Sequence, residues 1–260
     1  MKATVFYIGS SLLAPLKQAE REINREYELD LRIAAYNFGA SLTETEWREV
    51  EGDLSVADVV FVIHVMDGEN AARLLPALER FKEKHRAVVV INCMPELMRR
   101  TRMGRLDFGQ LFKKKKGEEG KREKGEKEEG LNGQEAVESS ESGSGRARSL
   151  ARSVATWMGE QARAHRKKKS RSHTTYLKLV DRMPALLKII PNAGRLRDVK
   201  NYLYLFCYFL QPTPANIRSM ILSALKEYVP DERLSHLKIP KPEAMPAVAL
   251  YHPDAPALFE

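Results

Sequence analysis

Asp58-Val-Val-Phe-Val-Ile-His-Val65 decides the fold. Apart from His64 the run after Asp58 is apolar without alternation, so a strand built from it must be covered on both faces. Such strands occupy the middle of parallel sheets flanked by helices. The flanking sequence repeats the same grammar. Downstream, residues 69–85 have helical spacing and Ala87 to Asn92 is a second buried strand. Upstream, Thr43 with Glu46 three residues later is a capping box for a short helix through Trp47 and Val50. Before it, Leu29 to Tyr36 reads as a strand, and Leu12, Leu16, Ala19, Ile23 and Tyr27 share one helical face. Ala3 to Ile8 is a β-branched opening strand that turns at Gly9-Ser10-Ser11.

Strands alternating with helices predict an α/β fold with a parallel sheet of Rossmann or flavodoxin type and right-handed crossovers. Ligands gather at the carboxyl ends of such strands. Here those ends are Gly9-Ser10-Ser11, Asn37, Met66-Asp67-Gly68 and Asn92-Cys93-Met94-Pro95-Glu96. From Met94 to Phe108 the chain is expected to continue as a short helix, with Pro95 in its first turn and Gly104 near its end.

The predicted domains are an α/β unit over 1–112, a linker over 113–148, a helical domain over 149–232 and a Pro-rich extended segment over 233–260. Lys113 to Arg148 has no aromatic residue, and its 10 basic and 9 acidic side chains alternate with Gly and Ser, the composition of a disordered polyampholyte. Helices are expected over 149–164 and 176–190. From Leu196 to Leu210 the apolar residues Leu196, Val199, Tyr202, Leu203, Phe206 and Leu210, joined by Tyr204, Tyr208 and Phe209, cover most of a helix circumference and predict its burial. Thr213-Pro214 then caps a second amphipathic helix through Ile217, Met220, Ile221, Ala224, Leu225 and Tyr228. A short strand over Ala247 to Tyr251 is expected near the end.

In that helical half, Pro184-Ala-Leu-Leu-Lys-Ile-Ile-Pro191, the aromatic helix, Glu227-Tyr-Val-Pro230 and Tyr251-His-Pro-Asp-Ala-Pro256 resemble the N-terminal region of the large (H) subunit of magnesium chelatase. Met94-Pro95-Glu96 and the later Met103-Gly104 fit the same family in the same order. The cobaltochelatase large subunit is a related alternative that shares mainly the closing His-Pro motif. The resemblance implies the head of a porphyrin-binding subunit, with protoporphyrin IX and Mg2+ as substrates of the full enzyme. It implies two smaller subunits as partners, forming the motor that uses ATP. The chain is then a piece of that subunit or a free-standing head, inactive alone. Asp254, where plant-type members often carry leucine, and the charged linker depart from the family pattern.

The net charge of +8 permits attraction to anions without selecting one. Arg166, Lys167, Lys168 and Lys169 sit in a basic cluster that suits a solvated helix end or docking of an acidic partner. Without interleaved aromatics or a recognised module, nucleic-acid binding is not expected. An alternative to the chelatase head is a stand-alone interaction module that uses this cluster. No GxGxxG or P-loop spacing follows a strand, which argues against a nucleotide site.

The histidines are dispersed, and His64 reads as a hydrogen-bonded core residue. Tyr251, His252 and Asp254 form a group able to bind a metal or proton, or simply a Pro-bounded turn. Asn92, Met94 and Glu96 at the sheet edge complete the substrate-binding candidates, Glu96 suiting the following helix N-terminus as well. No catalytic residue and no metal site is assigned. Cys93 and Cys207 read as buried thiols of a reducing compartment. With no signal peptide, transit segment or apolar run long enough to span a bilayer, a soluble protein of the bacterial cytoplasm or plastid stroma is expected.

Overall fold

The computed structural model describes residues 1–9, 11–66, 68–111 and 192–243. The linker, the helices expected over 149–164 and 176–190, the basic cluster, and the 247–251 strand with Tyr251, His252 and Asp254 lie outside them.

Among the described residues, six strands form one mostly parallel sheet in the order β2-β1-β3-β4-β5-β6. They are β1 Lys2–Tyr7, β2 Arg32–Asn37, β3 Val59–Ile63, β4 Ala87–Ile91, β5 Arg102–Met103 and β6 Leu106–Asp107, the last two antiparallel. Every residue of β3 and β4 is buried, as continuous apolar runs require. Helix α1, Leu13–Tyr27, joins β1 to β2; α2, Glu44–Leu54, joins β2 to β3; α3, Glu69–Arg80, joins β3 to β4. The order β2-β1-β3-β4 is the flavodoxin-type arrangement, in which right-handed crossovers put α1 on one face and α2 and α3 on the other. The Thr43 capping box forms in both directions, the hydroxyl accepting from Glu46 N–H and the Glu46 carboxylate from Thr43 N–H.

That winding leaves α1 alone on its face. The gap over β3 and β4 is filled by α5, Gly194–Leu210, and α6, Pro214–Tyr228, followed by the short α7, Glu232–Ser235. Helix α6 packs on α1, where Arg218 pairs with Glu22 and Glu26 and lies over the Tyr27 ring at 5.7 Å. The sheet and these helices share one hydrophobic core. Thr213 accepts from Asn216 N–H with Pro214 at the first helical position, the start expected from the sequence.

Some local expectations change. The helix after Met94 ends at Met98 as α4, Pro95–Met98. The residues beyond it form the β5–β6 hairpin, whose turn holds Gly104 at φ 55°. Two-residue strands are too short to show a period, so a helical continuation was the simpler reading. Strand β2 begins at Arg32 rather than Leu29, and α3 stops at Arg80 rather than running to His85.

His85 is itself buried. Its Nε2–H donates to Leu54 O at 2.8 Å and its Nδ1 has no partner among the described residues. Burial, with Arg102 nearby, holds its pKa below the ordinary 6.5. The unfolded chain therefore takes up this proton first, and stability falls as pH drops below about 6.5. Unfolding free energies from urea titrations between pH 7.5 and 5 should decline by up to ~1.4 kcal/mol per pH unit from this group. The decline should flatten in His85→Gln, and an identical slope in the variant would remove His85 as its source.

Candidate functional site

The register of the parallel strands builds one row across the carboxyl edge of the sheet. Asn37, Tyr7, Ile63 and Ile91 are aligned as strand-end partners. The next residues are Phe38, Ile8, His64 and Asn92. The ladder persists one step beyond the strands, since Phe38 N–H donates to Tyr7 O at 2.7 Å and His64 N–H to Ile91 O at 3.0 Å. The chain then turns sharply: His64 has φ 59°, Asn92 φ 51° and Gly9 φ 110°. A left-handed backbone costs an L-residue roughly 1–2 kcal/mol, and Asn and His are among the residues that tolerate it.

Those turns decide where the side chains point. His64 is exposed, not a core histidine, because β3 ends at Ile63 and the left-handed turn carries the imidazole out over the edge. Its ring meets Phe209 of α5 edge-on, with centroids 4.9 Å apart. Asn92 is half-buried, Met94 is partly buried against the core, and Glu96 is exposed in the first turn of α4. Ile8 at 39% and Leu13 at 46% exposure add apolar surface to the same end of β1.

The bed beneath this edge is fixed by Cys93. Its Sγ accepts from Val65 N–H at 3.2 Å and contacts the Val62 and Ile91 carbonyls at 3.3 and 3.2 Å. Burial pushes its thiol far above the ordinary range, so it remains a protonated packing group. Cys207 is half-buried rather than fully buried, and desolvation pushes its thiol up to about 12. The loop after β2 is fastened by Asn70, which accepts from Leu42 N–H at 3.1 Å and donates to Ala40 O at 2.7 Å.

Chemically the edge offers an imidazole, a carboxamide and apolar side chains. Among the described residues no three His, Cys, Asp or Glu come together as metal ligands. The structure brings Asn92 and Met94 beside His64, which sequence reasoning placed in the core. The signal for His64 was its position as the residue aligned with Asn92, one step past equivalent strand ends.

Residues 3–203 match the family described as "Domain of unknown function (DUF3479)". The chain belongs to this family. This DUF3479 chain is homologous to the N-terminal region of the magnesium-chelatase H subunit. It is 39% identical over 85 residues to the magnesium-chelatase H subunit of Chlorobaculum parvum, a match covering 33% of this chain and 6% of that protein. It is 24% identical over 276 residues to the chloroplastic magnesium-chelatase subunit ChlH of Oryza sativa subsp. indica, covering 100% of this chain and 16% of the relative. The ChlH of subsp. japonica aligns with the same extent and identity. The DUF3479 chain thus spans about a sixth or less of the length of these relatives. Among the described residues no helix is long and apolar enough to cross a membrane.

Proposed function

We propose that this chain is the head of the large, porphyrin-binding subunit of an ATP-dependent magnesium chelatase. That enzyme inserts Mg2+ into protoporphyrin IX for chlorophyll or bacteriochlorophyll synthesis. The carrying observation is the alignment of the chain along its whole length with 16% of chloroplastic ChlH. In this reading the head has no chelatase activity alone. The remaining body and two smaller ATP-using subunits supply the rest, in a bacterial cytoplasm or plastid stroma.

The physical task of such an enzyme is to desolvate Mg2+ in a dry cleft and remove the pyrrole protons. A rigid doubly wound unit suits capping or gating of that cleft from a hinge. Asn92, Met94 and Glu96 on the sheet edge, with Tyr251, His252 and Asp254, are the proposed contacts to porphyrin or to the cleft rim. Arg166, Lys167, Lys168 and Lys169 are the proposed docking group for a partner subunit.

The test is a chimaera. The segment of rice ChlH aligned with this chain is deleted, or replaced by this chain, and Mg-protoporphyrin formation is measured with the two smaller subunits. Deletion is expected to lower turnover or porphyrin affinity at least tenfold, and the replacement to restore most of it. An unaltered enzyme after deletion would sink the reading.

A further inference from the structure

Helix α5 carries aromatic residues on two sides, and the sheet accounts for one. Tyr202, Phe206 and Phe209 are buried toward the core, whereas Tyr204 is only partly buried. Tyr204, together with Tyr208 and Tyr228, lines a cleft of about 330 Å³ between α5, α6 and the extended segment at Ile239 and Lys241.

The cleft exists because that segment is tied across the helices as a strap. Buried Asn216 exchanges two hydrogen bonds with the Glu243 backbone, donating from Nδ2 at 3.0 Å and accepting from N–H at 2.9 Å. The Tyr208 hydroxyl donates to Pro240 O and the Lys226 ammonium to Leu237 O. Three lysines, Lys200, Lys226 and Lys241, reach the cleft. Its carboxylate, Glu227, is already committed, accepting from Arg197 Nε at 3.0 Å and from Asn201 Nδ2 at 3.1 Å. Among the described residues the lining thus sets lysine side chains and one already paired carboxylate between tyrosine walls.

We infer that this cleft binds a planar aromatic carboxylate, its ring against the tyrosines and its carboxylate on the lysines. Tyrosine supplies ring faces with a polar tip, and lysine a point charge that follows an anion without fixed geometry. The volume lies at the low end for small-molecule sites, which fits one carboxylate-bearing edge of a macrocycle better than a whole one. The choice of protoporphyrin IX as a probe rests on the chelatase reading; the site itself does not.

The full 260-residue chain is titrated by calorimetry with 2-naphthoate, protoporphyrin IX and protoporphyrin IX dimethyl ester. The two acids are expected to bind saturably and the ester at least tenfold more weakly than its parent acid. Lys241→Ala and Tyr204→Leu should each weaken the acids at least tenfold, with unchanged circular dichroism and urea midpoint. Equal binding of acid and ester, equal binding by folded variants, or no binding of either acid would overturn the inference. A working chimaera with no binding by this chain would reject the cleft alone. Binding by this chain with a dead chimaera would reject the chelatase reading alone.

Discussion

Tyr202→Ala is expected to cost about 4–6 kcal/mol of stability, the sum of a large aromatic truncation and a carbonyl left unpaired. Tyr202 is fully buried, and its ring meets Phe108 at 5.1 Å in a T-shaped contact. Its hydroxyl donates to Val90 O at 2.7 Å. That acceptor needs a partner for a reason set by the sheet. Along β4, Ala87 and Ile91 hydrogen-bond toward β3, since Ala87 N–H donates to Asp58 O and Ile91 O accepts from His64 N–H. By the two-residue period Val90 points the other way, toward β5. Strand β5 pairs only with Ala87 and Val88, so it ends before reaching Val90.

Tyr202 therefore completes the ladder where the hairpin stops, and it ties α5 to the sheet. Tyr202→Phe isolates this bond and should cost ~1–2 kcal/mol, most of it the unpaired carbonyl. Against a typical total of about 5–15 kcal/mol, the alanine variant approaches unfolding while the phenylalanine variant stays folded. Chemical denaturation of both variants measures the difference. A phenylalanine variant as stable as the parent would show that Val90 O is satisfied by water.

Gly104→Ala is expected to cost about 3–4 kcal/mol, from a left-handed backbone and a displaced carboxylate. Gly104 has φ 55°, and a Cβ there would lie 2.5 Å from Oδ1 and 2.7 Å from Oδ2 of Asp198. Asp198, only 7% exposed, accepts from Arg105 N–H at 2.7 Å and from the Tyr228 hydroxyl at 3.1 Å. One carboxylate thus clamps the β5–β6 turn to α5 and α6. The Tyr228 hydroxyl, desolvated and facing this carboxylate, is held well above its ordinary pKa and remains a donor.

A methyl at Gly104 has to push Asp198 away and undo both bonds. If so, the costs of Gly104→Ala and Asp198→Ala should not add. The double variant should lose clearly less than the sum, by about 1 kcal/mol or more for groups in direct contact. Additive losses would leave backbone strain as the whole effect of the glycine substitution.

What could be read from the sequence follows the range of each interaction. The buried strands β3 and β4 were legible because a strand covered on both faces is an uninterrupted apolar run, visible within a few residues. The Thr43 and Thr213 caps were legible because a cap bonds a backbone N–H three residues away. At the candidate site, Asn92, Met94 and Glu96 could be placed at a strand end by the same local reasoning. His64 could not, since whether a polar residue at the end of an apolar run lies inside or outside depends on where the ladder stops, and one residue of difference reverses its face.

The sequence by itself determined the α/β alternation, the buried aromatic helix and the resemblance to the large chelatase subunit, all written in local periodicity or motif order. Only the tertiary structure decided which face α5 and α6 cover, that the β5–β6 hairpin replaces a longer helix, and that α5 divides its aromatics between sheet and cleft. Those outcomes rest on partners such as Arg105 and Asp198, or Val90 and Tyr202, 93 and 112 residues apart. Contacts of that reach leave no periodic trace in the sequence, because they are selected by how the folded layers close over one another.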